Sequence, residues 1–521
     1  MESCAPIVNR RRFFLDGRQC GAIRLVRPAF TRRFEIRHAL HWSQVNVVLI
    51  STYDLGHQPF GLASPKAWLV RDGHTVRTLD LTVDKFSEPL VREAGLVAFY
   101  LPMHTATRLA LPVIERVRRL NPDARIVCYG LYAPLNADLL CGIGVETILG
   151  GEFEADLVRI ASLAPRPNEP RLEGAVKIRD IVVPAVLPAS RAFNPAFLSG
   201  DPERVHQLSG PIERLDFITP DRSDLPAPGR YAQLRHGAES KLVAYTEASR
   251  GCKHLCRHCP IVPIYRGQFR VVSRDVVLGD IRQQIAAGAA HVTFGDPDFF
   301  NGPSHATRIV EALHAEFPAV TYDATIKIQH LLKHRDLLPV LRDTGCVLIT
   351  SAVEAVDDRV LEKLEKNHTR RDFFEAAALM RDASIALQPT FIAFTPWTTL
   401  AGYRDLLNAL ADLELIQNVA PVQLALRLLI TSGSRLLELD DVLATLRPFD
   451  TKSLVYPWVH DDPEVDHLGA QVFHLVADRQ KQGRSRAEIF QEICEIAGAP
   501  RENYKLMPRA TIPFLDEPWY C

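Results

Sequence analysis

The stretch Thr246–Pro260, TEASRGCKHLCRHCP, decides how the rest of the chain is read. Its three thiols, Cys252, Cys256 and Cys259, are separated by three and then two residues. They follow the apolar run Leu242–Glu247, which reads as a buried strand. Thiolates are the ligands of iron–sulfur clusters. A short loop with this spacing wraps one face of a [4Fe–4S] cube, ligates three irons and leaves the fourth open. A ferredoxin would supply a fourth cysteine, and a structural zinc site would show paired C-x-x-C units. The alternative left standing is a zinc knuckle that recruits His254 or His258. The chain has ten cysteines, and those outside this loop are scattered singly. That usage points to one metal site in a reducing, cytoplasmic compartment rather than to a disulfide framework.

Downstream of the thiols, apolar runs alternate with helical patterns. Strands are predicted at Leu242–Glu247, His291–Phe294, Thr321–Ala324, Val347–Ser351, Ala386–Ala393 and Val422–Leu429. Helices are predicted between them at Arg274–Ala287, His305–Glu316, His330–Arg342, Arg371–Asp382 and Leu400–Leu413, the first with Ser273 as N-cap and Gly288 just past its end. Six strand–helix units fall short of a closed eight-fold barrel. They suit an open, partial (β/α)6 TIM-like barrel over 242–434 with its chemistry at the carboxyl ends of the strands.

Upstream, a second alternation begins. Val45–Ser51, His74–Leu81, Leu96–Leu101, Arg125–Tyr129 and Thr147–Leu149 read as strands, with helices such as Pro65–Asp72 and Ala106–Leu120 among them. This is the pattern of a doubly wound, Rossmann-like α/β domain over 44–163, whose ligand site lies at the strand carboxyl ends. Residues 1–43 read as a poorly ordered lead-in, 164–241 as a Pro-rich connector, and 435–521 as a mostly helical C-terminal region.

Length and composition agree with this division. At 521 residues the chain needs several cores, and its net charge of −1 gives no reason to expect a nucleic-acid partner or a membrane surface. The longest apolar runs are too short to span a bilayer.

The C-x-x-x-C-x-x-C loop after the first strand of a partial barrel resembles the signature of the radical SAM superfamily. The resemblance covers about 243–434. It implies a [4Fe–4S] cluster whose open iron binds S-adenosylmethionine and cleaves it to methionine and a 5′-deoxyadenosyl radical. It also implies a substrate that is a small molecule or peptide, and an electron donor such as flavodoxin or ferredoxin. Gly295-Asp296-Pro297-Asp298 resembles the family's GGE-type motif for the SAM amino group, with Asp296 or Asp298 in the acidic role. Ser351-Ala352-Val353-Glu354 resembles the segment near the SAM ribose and carboxylate, and Arg270 or Lys327 is a further contact for that carboxylate. His258 stands where the family often has an aromatic. The aromatic run Phe391–Trp397 is read as lining the adenine or substrate pocket, or else as plain core.

Residues 44–160 resemble the cobalamin (B12)-binding-type domain that precedes many radical SAM barrels. Asp54-Leu-Gly-His57-Gln-Pro-Phe-Gly61 keeps the order, though not the spacing, of the motif that carries a cobalt-ligating histidine. Gly130 and Gly150-Gly151 are read as turns that let the corrin approach closely. The implied chemistry is cobalamin-dependent methyl transfer or radical rearrangement. A radical SAM enzyme without cobalamin, forming a carbon–sulfur, carbon–selenium or ring bond, is one alternative; a non-catalytic iron–sulfur or zinc protein is the other. The 246–259 and 294–301 segments further resemble a radical SAM group named for a CUAEP or CCAEP tail. On that likeness, a selenocysteine codon is expected to carry the chain past Cys521.

Overall fold

The computed structural model describes residues 44–163, 215–499 and 505–517. The predicted lead-in 1–43, most of the connector and the terminal Cys521 lie outside the described residues. β1 (Asn46–Ser51), β2 (Thr75–Asp80), β3 (Leu96–Tyr100), β4 (Arg125–Tyr129) and β5 (Thr147–Leu149) form one parallel sheet in the order β2-β1-β3-β4-β5. Both faces of β1 and β3 are covered, which is why their sequences are continuous apolar runs instead of alternating ones. Helices Phe60–Arg71 and Glu154–Ser162 cover one face, packing with Leu49, Ala98 and Leu157. Helix His104–Leu120 covers the other through Ala110, Ile114 and Val117. Strand order reverses between β1 and β3, so the loops that leave them part and open a cleft at the carboxyl edge.

β6 (Gln233–His236) and β7 (Glu239–Thr246) form a hairpin that begins the second sheet. The predicted connector therefore ends as a paired strand. Before it, the chain ties the two sheets together. Lys66, buried on helix Phe60–Arg71, pairs with Asp221 and Asp224, and Arg222 binds Asp280 of helix Arg274–Ala286 at 2.7 and 2.9 Å. After the thiol loop come β8 (Ser249–Gly251), β9 (Phe269–Val271), β10 (His291–Phe294), β11 (Thr321–Thr325), β12 (Cys346–Glu354) and β13 (Ala386–Phe391). β7 and β10–β13 run parallel as the half-barrel, and β14 (Phe514–Leu515) returns to the β6 edge to complete the order β13-β12-β11-β10-β7-β6-β14. Helices pack outside through one continuous core that includes Val292, Tyr322 and Phe373.

The sixth predicted barrel strand does not form as a strand. Pro421–Leu424 is a 3-10 turn, and only Phe394 and Arg427 make a parallel bridge beyond it. Gln423 explains the exchange: its Oε1 accepts from the Phe391 amide at 3.0 Å, taking the place of a neighbouring backbone carbonyl. The predicted helix His330–Arg342 is likewise broken, into Ile328–Lys333 and Leu338–Asp343, with Pro339 at the start of the second. Gly288, at φ +100°, ends its helix as expected, whereas the Ser273 side chain makes no cap bond. The C-terminal region is helical over Pro463–Lys481 and Arg486–Ile496 before β14.

Candidate functional site

The thiol loop is shaped by its neighbours before any metal binds. Gly251 sits at φ +76°, and a β-carbon there would lie 2.4 Å from the Tyr265 ring, so only glycine can turn the chain into Cys252. Asn301 accepts from the Lys253 amide at 3.2 Å, and Arg435 donates to the Leu255 carbonyl at 2.6 Å. Arg257 donates to the Lys363 carbonyl at 2.9 Å and pairs with Glu365. Cys252 and Cys256 are buried, Cys259 is partly so, and none of the three is in a disulfide. Burial pushes the Cys259 thiol up to about 12 and raises Cys252 as well, so a metal must displace these protons.

Among the described residues, only His254, Asp298 and His330 bring three ligand atoms within 4.8 Å of one another. The zinc-knuckle alternative loses its fourth ligand, because His254 faces Asp298 and His258 Nε2 meets Glu354 at 3.1 Å.

The other predicted site residues fall into two groups. Lys327 and Glu354 flank the thiols. Lys327 Nζ lies 3.5 Å from Cys256 Sγ, and Glu354 is held by His258 and by buried Lys366 at 3.2 Å. Burial would raise the Glu354 carboxyl, but Lys366 and His258 outweigh it and hold it at about 2. A register shift in β12 and a φ of +70° aim this residue out of the strand line. Ser351 is fully buried nearby in sequence, and its hydroxyl has no partner.

The GGE-like segment is mostly framework. Asp296 accepts from the Ala248 amide at 2.9 Å and from Ser249, fixing the lead into the thiol loop; burial pushes its carboxyl up to about 7. Asp298 turns one oxygen toward the Lys327 amide and the other toward two imidazoles. Gly295 leaves room for Tyr245, whose hydroxyl would lie 2.1 Å from a β-carbon. Gly295→Ala should therefore destabilise the protein by about 1–3 kcal/mol through overpacking, read as a lower urea midpoint and less iron retained per chain. Arg270, on β9, bonds to the Phe269 carbonyl and to Gln268 just before the strand. Phe391 and Phe394 are buried against Phe373 and Tyr403 in the helix-side core.

The carboxyl edge of the N-terminal sheet faces this loop. From the β5 turn and the helix after it, Glu152 and Glu154 reach Arg250 at 3.0 and 2.7 Å, and Glu247 completes the group at 2.7 Å. Burial raises the carboxyls of Glu152 and Glu247; burial would raise Glu154 too, but the Arg250 charge outweighs it and lowers it. Tyr265, just past Cys259, donates to Glu152 at 3.2 Å. His57, from the β1 loop, stacks on Tyr245 at 4.7 Å, and its Nε2 meets Glu517 at 2.9 Å. Its Nε2 is thus engaged by a carboxylate.

The glycine turns serve the chain's own packing. A β-carbon at Gly130 would meet the Leu101 carbonyl at 2.9 Å, and one at Gly150 would meet Pro134 at 2.5 Å. At the end of β1, however, the buried Ser51 hydroxyl has no partner. Arg250, Asn301, His330 and Lys366 were not visible as site residues in the sequence. Only Arg250, beside the cysteines, carried a local signal.

Residues 246–395 match the family model described as the radical SAM superfamily. The hopanoid C-3 methylase of Methylococcus capsulatus is 24% identical over 65% of this chain, which spans 62% of that relative's length. OxsB, a cobalamin-dependent S-adenosylmethionine radical enzyme solved with aqua-cobalamin bound, superposes with a TM-score of 0.60 at 13% identity, over 83% of this chain and 66% of its own. TsrM from Kitasatospora setae, a radical S-adenosylmethionine methyltransferase solved with cobalamin and a [4Fe–4S] cluster, superposes with a TM-score of 0.53 at 16% identity, over 71% and 74%. Among the described residues, no helix is long and apolar enough to cross a membrane.

Proposed function

We propose, on the premise that this chain is a radical SAM enzyme with a B12-binding-type domain ahead of its half-barrel, that it transfers a methyl group to an unactivated carbon, or rearranges one, with cobalamin. One observation carries the reading. Two edges that bind ligands in their respective folds, the carboxyl ends of β1–β5 and the thiol loop, are turned toward each other and locked by Arg250. The residues fit both groups: three largely shielded, unbridged thiols suit the cluster, and the unpartnered Ser51 hydroxyl at the switch point suits a bound ligand there. When bound, the cluster and cobalamin supply radical generation from SAM and a methyl carrier.

The chain's own residues do the rest. Cys252, Cys256 and Cys259 hold three irons. Lys327 and Lys366 set positive charge against the sulfurs, which favours an anionic centre. Glu354, kept ionised chiefly by the buried Lys366 ammonium, is the acceptor for SAM donors. His57 is held by Glu517 through Nε2 and by stacking on Tyr245. A small electron-transfer protein, flavodoxin or ferredoxin, supplies the electron.

Full-length protein reconstituted with iron, sulfide and hydroxocobalamin is expected to retain one corrin per chain after gel filtration, read from its visible spectrum. A colourless-corrin protein that still converts SAM to 5′-deoxyadenosine would replace this reading with the cobalamin-free one.

A further inference from the structure

We infer that His254, Asp298 and His330 form a second metal site, for a single divalent cation of the zinc or iron(II) class, beside the cluster loop. The three ligand atoms converge. Asp298 Oδ2 lies 2.7 Å from His330 Nδ1 and 3.4 Å from His254 Nε2, and all three fall within 4.8 Å of one another. Atoms that each sit about 2.0–2.2 Å from one ion are separated in this way.

The two imidazoles meet the Asp298 carboxylate at ion-pair distance. None of these contacts has the angular geometry of a good hydrogen bond, and each of the three atoms is shut off from solvent. Asp298 is fully buried and His330 is 8% exposed. Buried polar atoms are rarely left in this state, and a cation at their common focus would satisfy all three at once. Two imidazoles and one carboxylate are the donor set of catalytic zinc and of non-haem iron(II), and they leave coordination positions open for water or an anionic substrate group.

The surroundings are those of a built site. The other oxygen of Asp298 accepts from the Lys327 amide at 3.4 Å, which sets the carboxylate's orientation. The His330 ring is packed edge-on against His334, 5.8 Å away. The residues come from three places: the thiol loop, the turn after β10 and the helix Ile328–Lys333 after β11. The thiols and the trio use different side chains, so one ion and one cluster can be held together.

The test uses the full-length, cluster-reconstituted protein, dialysed against micromolar zinc chloride and then against buffer, with zinc, iron and sulfide counted per chain. Zinc is the probe because neither the cluster nor cobalamin contains it. Wild type is expected to keep one zinc beyond its iron and sulfide. His330→Gln and Asp298→Asn should each weaken retention at least about 10-fold, the lower end of what even an outer-shell loss costs, with iron and sulfide unchanged in His330→Gln. Equal zinc in wild type and both variants, or none in wild type, overturns the site. Should a variant lose its cluster, wild type alone still decides. Its unfolding temperature should rise with zinc across the micromolar range, and no rise overturns the proposal.

Discussion

Full-length protein carrying Cys256→Ala is expected to produce 5′-deoxyadenosine only at background when reduced and supplied with SAM. On the proposed reading, each of the three thiols takes one corner of the cluster. Lys327, whose ammonium lies 3.5 Å from the Cys256 sulfur, has no lone pair to offer while charged. The same loss is expected for Cys252→Ala and Cys259→Ala. Cys346→Ala and Cys494→Ala should retain full turnover, because those thiols are buried in the helix-side core. Product is measured by chromatography, with iron content taken alongside. Normal product from the Cys256→Ala protein would remove the cluster from the account.

The second large effect is on stability. Arg250→Met should destabilise the protein by about 3–5 kcal/mol at pH 7, because it strands the buried carboxylates of Glu152, Glu154 and Glu247 without their cation. The sign of its pH dependence follows. In wild type, Glu154 has a lowered carboxyl, so its contribution is present above the ordinary carboxylate range and is lost as pH falls. Glu152 and Glu247 are raised by burial even beside Arg250; without it they rise further and Glu154 is raised as well. That contribution is present at low pH and lost as pH rises. The gap between wild type and variant should therefore narrow from pH 7 to pH 5, and adding Glu154→Gln should recover part of it. Urea midpoints at the two pH values decide; a gap that widens at pH 5 would mean that Arg250 is held by packing and not by its charge partners.

What the sequence revealed follows from how far apart the interacting residues are along the chain. The thiol loop, the GDPD turn and the β1–β5 runs were legible because ligand spacing and buried parallel strands are local patterns. The Arg250 group was not, since Glu152 and Glu154 lie about a hundred positions earlier and look like an ordinary turn acid and a first-turn acid of a helix. His330 resembled any helical residue until β10 and β11 set it beside Asp298. The sixth strand misled for the opposite reason. Val422–Leu429 has a strand's composition, but Gln423 answers the β13 edge with its side chain. Asp296 carried a family likeness in sequence, yet its oxygens are spent on the backbone and hydroxyl that lead into the loop.

Anaerobic reconstitution of the full chain, reduction, addition of SAM and counting of the products shows whether the three thiols hold a cluster that opens SAM. About four irons and four sulfides per chain are expected, with 5′-deoxyadenosine and methionine accumulating together. A protein that carries the full cluster, is reduced, and leaves SAM intact would contradict this reading.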